Sequence, residues 1–223
     1  MRGRQRTLTL GLTLTLGLTL TLTLGLGLLA ASGAAHAAPD GLALELARGL
    51  DHHAPVSERI RAIHRIGALG DVRAVVPLTA ALDRASGALE AAIRATLKRL
   101  DAPRVLSNRL RAPDPPARRD TLVLLRYLGD RALAAGCLPL LTDPDPSVRT
   151  EAASTLGSLG EASAVPALAA RLSADPSFDV RAASAQALGA LGGPAAVAAL
   201  RSARDEDGYL QPILDAAIAR ASP

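Results

Sequence analysis

Apolar and small residues recur along this chain with spacings of four, four and three. In Val148–Gly160 they fall at Val148, Ala152, Leu156 and Leu159, one stripe of a 3.6-residue helix. The preceding Asp143-Pro144-Asp145-Pro146-Ser147 carries helix-start chemistry. Asp145 or Ser147 can accept from free amides, and a proline in the first turn forfeits no hydrogen bond. Gly157 and Gly160 read as the stop, with Gly160 in the left-handed conformation that reverses the chain. A second stripe at Val165, Leu168 and Leu172, with Pro166 in its first turn, predicts a second helix antiparallel to the first.

The same phrase returns along the chain. It reads VRTEAASTLGSLG at Val148–Gly160 and VRAASAQALGALG at Val180–Gly192. Looser copies lie at Glu58–Gly70, Leu89–Asp101, Ala117–Gly129 and Leu210–Ser222. Equivalent positions 59, 90, 118, 149, 181 and 211 are 31, 28, 31, 32 and 30 residues apart. Second-helix stripes follow each copy: Val75, Leu78 and Leu82; Leu106 and Leu110; Ala134, Cys137 and Leu141; Val197 and Leu200. The second unit is the poorest copy, with a shortened second helix and Asp101 in place of the terminal glycine. One pair cannot bury its stripe alone, whereas stacked pairs share a continuous core. The predicted fold is therefore all-α, an α-solenoid of about five antiparallel helix pairs. A short helix near Gly41–Leu50 caps one end and a single helix closes the other.

The combination D-P-x-V-R-x-x-A-x-x-x-L-G-x-L-G followed by V-P-x-L resembles the HEAT-like repeats of the phycobilin-lyase type. The resemblance covers roughly Val56 to Ala221. It implies a right-handed solenoid that usually serves protein–protein recognition, in a family that also has enzymatic members and accessory chaperones of pigment attachment. The related iron hydroxylases would need repeated His-Glu pairs, and this chain has none.

Residues 1–37 are a different material. Three arginines, an uncharged Thr-Leu-Gly run over residues 7–30, and Ala35-His36-Ala37 follow the layout of a secretory signal peptide. An uncleaved membrane anchor over residues 7–30 is the alternative, since the run is nearly long enough to span a bilayer. The expected organisation is signal peptide 1–37, capping segment 38–55 and repeat domain 56–223, in a secreted or periplasmic protein. Removing the segment changes 25 basic against 21 acidic residues to 22 against 21, so the calculated pI of about 10.1 is no nucleic-acid footprint. Only Tyr127, Phe178 and Tyr209 are aromatic, which suits thin helical layers better than a large globular core.

The chemistry-bearing residues are few. Arg59, Arg118, Arg149 and Arg181 follow the first apolar position of four copies, with Glu90 and Gln211 as exceptions. Because they keep register with the core, they read as structural, each reaching a loop carboxylate or carbonyl such as Asp145 or Asp179. His52 and His53 are adjacent, point to different faces and make a poor metal pair, and His64 stands apart. Cys137 matches the core position of Leu168 and reads as a small buried apolar residue. Ser154, Thr155 and Ser184 have no neighbouring histidine to activate them. No catalytic, cofactor or metal residue is therefore assigned.

Charge is uneven along the repeats. Residues 56–131 carry 15 basic and 8 acidic side chains, and residues 132–223 carry 6 and 10. An acidic protein partner or anionic polymer fits this better than nucleic acid, for which stacking aromatics are lacking. Head-to-tail self-association of the two unlike ends is also consistent with it. The expected binding face is that of the second helices, with Arg73, Arg104, Arg109, Arg111, Arg131 and Arg171 as partner-binding candidates. The functional expectation is an exported, non-catalytic adaptor, the alternatives being a lyase-type enzyme or chaperone and a polyanion binder.

Overall fold

Five of the six repeat copies become the first helix of a pair and the sixth becomes a single helix, and these layers stack. The computed structural model describes residues 40–203 and 208–221. The expected signal peptide lies outside them. The helices are α1 (Gly41–Leu50), α2 (Val56–Leu69), α3 (Val75–Ala81), α4 (Gly87–Arg99), α5 (Ala102–Arg109) and α6 (Pro115–Leu128). They continue as α7 (Pro146–Leu159), α8 (Val165–Ala174), α9 (Phe178–Leu191), α10 (Gly193–Ser202) and α11 (Gln211–Ala221). Between α6 and α7 runs a 3₁₀ helix, Arg131–Thr142. No strand occurs among the described residues. The chain is an α-solenoid, with α2, α4, α6, α7, α9 and α11 in one row and the second helices in another.

Local chemistry sets the helix ends. Asp145 accepts from the Ser147 amide at 2.8 Å, and Asp114 caps α6 through the Ala117 amide at 3.0 Å. Pro146 and Pro115 occupy the first turns, where their missing N–H groups would be orphans in any case. Gly160 ends α7 at φ 72°, as its position predicts. Asp101, in the glycine-less second unit, adopts φ 51°, a left-handed conformation that costs a non-glycine residue roughly 1 kcal/mol.

The second element of the third unit departs from expectation. An α-helix was predicted, yet Arg131–Thr142 is 3₁₀ throughout. Pro139 inside it has no amide to donate, and Gly136 weakens helical preference in the same turn. Ala134, Cys137 and Leu141 still reach the core.

The core is one continuous cluster from Leu42 to Ala221. Its large members come mostly from the predicted stripes: Ile66, Leu78, Ile93, Leu97, Leu106, Leu125, Leu156 and Leu168 are all almost wholly buried. Neighbouring first helices pack along their length except α4 and α6, whereas the second helices touch one another sparsely.

Gly157 corrects the sequence reading. It lies buried inside α7 and does not end it. A Cβ there would stand 2.7 Å from Cα of Ala187 on α9, and one at Gly189 would stand 2.8 Å from Cα of Ala217 on α11. At Gly67 the neighbour is Thr96, at 3.3 Å from its hydroxyl. The internal glycine of the phrase is what lets adjacent first helices touch backbone to backbone. Gly157→Ala should therefore destabilise the fold by about 1–3 kcal/mol through overpacking. Chemical denaturation would show it, and Gly67→Ala, facing only a side chain, should cost visibly less.

Candidate functional site

The recurring arginines form a ladder along one edge of the stack. Arg118 donates from Nε and Nη2 to both carboxylate oxygens of Asp143, each at 2.8 Å. Arg149 makes the same bidentate pair with Asp175, again at 2.8 Å twice. Each arginine also donates to carbonyls of its own preceding loop: Arg118 to Ala112 and Pro113, Arg149 to Asp143 and Pro144, Arg181 to Asp175 and Pro176. Arg59 donates to the carbonyl of Gly49. The carboxylates are Asp143 and Asp175, each six residues before the next phrase arginine, and not Asp145 or Asp179. The last two are placed elsewhere: Asp145 is occupied as the cap of α7, and Asp179 lies exposed in the first turn of α9.

Asp143 and Asp175 serve two purposes at once. Asp143 accepts from the Asp145 amide at 2.9 Å and Asp175 from the Ser177 amide at 3.0 Å, fixing the loop before the next helix. Burial pushes both carboxyls upward, but the guanidinium and amide hydrogen bonds outweigh it, and both pKa values lie below the ordinary one. These charge-assisted bonds join layer three to four and layer four to five.

A broad depression runs over the first-helix row of layers four to six. Three adjoining hollows of about 420, 160 and 450 Å³ meet at Gln186. Small residues line it, Ser154, Ser158, Ala183 and Ala216 among them, with Arg119 near one end and Arg220 near the other. Ser154 is half-buried on this surface, whereas Thr155 donates to the Leu122 carbonyl of the preceding layer at 3.2 Å. Ser184 is fully buried in the core.

The six partner-binding candidates separate into two groups. Arg73 is held by Asp71 and Asp40, Arg104 by Asp101 at 2.7 Å, and Arg171 by Asp175 at 3.4 Å. Their charge is largely answered within the protein. Arg109, Arg111 and Arg131 are exposed, but they are not gathered into one site. Arg109 and Arg111 border the loop between α5 and α6, while the Arg131 guanidinium lies against Gly160 in the next layer.

The histidine expectation needs one correction. The rings of His52 and His53 do not diverge; their centroids are 4.1 Å apart, because residues 51–54 form a turn in which neighbouring side chains can meet. Among the described residues no group of three His, Cys, Asp or Glu side chains could hold a metal ion. Nor is any helix among them long and apolar enough to cross a membrane.

What sequence reasoning missed is the fate of the internal glycine position. In the second and third units it holds Lys98 and Arg126. Arg126 turns to Glu151 of the next layer at 2.6 Å. The signal was present in the aligned phrases, but it acquires meaning only once that position is known to face the adjacent helix.

Two outcomes test this description. Folding lowers the pKa of Asp143 and Asp175, so their stabilisation is complete above the unfolded carboxylate value of about 4 and disappears as pH falls through the lower folded values. Asp175→Ala should cost about 3 kcal/mol at neutral pH by leaving Arg149 buried without its partner, and should flatten the acid limb of a melting-temperature profile. Burial pushes the Cys137 thiol up to about 12. A thiol reagent at pH 8 should therefore label Cys137 only after denaturant is added.

Parts of the chain are similar to known proteins. Residues 103–188 match the family described as HEAT repeats, and residues 180–206 match the PBS lyase HEAT-like repeat. No curated protein matches the chain. Human deoxyhypusine hydroxylase, solved with glycerol, is similar at 22% identity and a TM-score of 0.48, covering 81% of this chain and 73% of its own. An engineered protein matches at 17% identity and 0.47, covering 81% of this chain and 88% of its own. The complex of CpcE and CpcF of phycocyanin lyase from a Nostoc species gives 23% identity and 0.41, covering 82% and 79%. Residues 103–206 are therefore similar to HEAT repeats, with the stretch 180–206 similar to the PBS lyase type.

Proposed function

We propose that this protein is an exported, non-catalytic scaffold that binds a partner protein along its first-helix row. The observation that carries the reading is the depression over α7, α9 and α11. It crosses three successive layers, is shallow, and is lined by Ser, Ala and Gln side chains with isolated charges at its margins. Such a surface offers shape and scattered hydrogen-bond partners to a protein segment. Enzyme pockets by contrast gather converging polar groups with shifted pKa values. Here the carboxyls of Asp143 and Asp175 are shifted by ladder bonds that hold layers together.

The second-helix face is the weaker candidate, since Arg73, Arg104 and Arg171 already engage carboxylates of the chain itself. Export rests on the basic, apolar and small-residue order of residues 1–37.

The full chain, tagged at its C-terminus, should capture a stoichiometric protein partner from the secreted and envelope fractions of its source cells. Gln186→Trp fills the centre of the depression from an exposed position and should abolish that capture while leaving the circular dichroism melt unchanged. Recovery of no protein, or capture indifferent to Gln186→Trp, would sink the proposal.

A further inference from the structure

The stack has one interrupted junction, between layers two and three. In the first-helix row, α2 packs on α4, α6 on α7, α7 on α9 and α9 on α11. The pair α4 and α6 lacks a comparable contact, and α6 instead leans on α3, α5 and the 3₁₀ turn Leu82–Arg84. Three local changes accompany this. Lys98 stands where Gly67, Gly157 and Gly189 permit close approach. Glu90 stands where the ladder arginine belongs, and Ala112 where the ladder would need its aspartate. Both halves of the interlayer tie are absent together.

What remains at the junction is a cleft of about 460 Å³, within the range of ligand-binding cavities. Leu97, Ala102, Pro103 and Leu128 supply its apolar surface. Arg94 spans it, donating to the Leu128 carbonyl at 3.0 Å and to Glu90 at 2.8 Å. Asp101 on the rim is neutralised by Arg104, and Asp130 is engaged by the Ala132 amide at 3.0 Å. Lys98 lines the cleft, is exposed, and has no carboxylate partner among the described residues. Around it lies the half of the domain with 15 basic against 8 acidic side chains, which attracts acidic partners at a distance.

Resting on the scaffold reading above, we propose that this cleft docks an acidic segment of the partner protein. One large apolar side chain enters between Leu97 and Leu128, and a neighbouring carboxylate pairs with Lys98. The charge of Lys98 selects the occupant.

The test uses the full chain and fluorescently labelled, end-capped peptides. Glu-Glu-Phe-Glu-Glu should bind, and the versions with Gln for every Glu, or Ala for Phe, should bind at least tenfold more weakly. Lys98→Met keeps the length and loses the charge. It should weaken the acidic peptide about tenfold, remove most of its salt dependence, and leave the thermal melt unchanged. Equal binding by Lys98→Met, equal binding of the Phe and Ala peptides, or no binding to the unaltered chain overturns the proposal. Equal competition by a single-stranded oligonucleotide, or a Lys98-dependent dimer in sedimentation, also overturns it and assigns the cleft to nucleic acid or to a second copy. A partner captured by Lys98→Met but lost with Gln186→Trp discards the cleft and leaves the scaffold reading standing. Capture of nothing by any variant discards the scaffold.

Discussion

The approach of one first helix to the next is the constraint on which this structure depends. Where a glycine faces an alanine, as at Gly157 and Ala187 or Gly189 and Ala217, the two backbones come within side-chain distance. That closeness makes a row of thin helices into a continuous core without large aromatic residues. The layers are filled by Leu, Val, Ile and Ala, and at this separation those side chains suffice. The ladder of Arg118, Asp143, Arg149 and Asp175 then locks the spacing at one edge. Its aspartates also shape the loops that start the next helices, so one side chain fixes both a turn and a layer contact.

The same constraint shows where the repeat is free to differ. Layers three to five keep the ladder, and layers four to six keep the glycine contacts, so they form the regular part of the stack. Layers one and two are joined by Gly67 against Thr96, with the Thr96 hydroxyl donating to the Ile63 carbonyl. Between layers two and three neither device operates. A stack held by nearest-neighbour contacts loses stability locally at such a point and leaves the other junctions intact. The interruption leaves a cleft beside Lys98 where the other junctions are closed by helix contact.

Function in such a protein is a matter of which positions are released from structural duty. The phrase arginines are bonded to their own chain, and so are three of the six arginines that charge alone would nominate for binding. What is left for a partner is the small-residue depression at one end of the array and the Lys98 cleft towards the other. On the proposed scaffold reading a partner would meet two separated contacts, spaced by the number of layers between them.

The sequence by itself determined the helices, their pairing and the core. Periodic apolar positions, prolines in first turns and glycines at helix ends are local signals, and each specifies its element without reference to the rest. It also marked the second unit as irregular, through its short second helix and Asp101. What it could not convey is which residue of a helix faces which residue of the next. Gly157 looks like a stop signal along the chain and is a contact surface across it. Asp145 and Asp175 look alike in their loops, yet Asp175 reaches back to Arg149 while Asp145 turns inward to its own helix. The gap beside Lys98 was likewise decided by packing. Register between layers is a property of the stacked array, so only the tertiary structure could assign those roles.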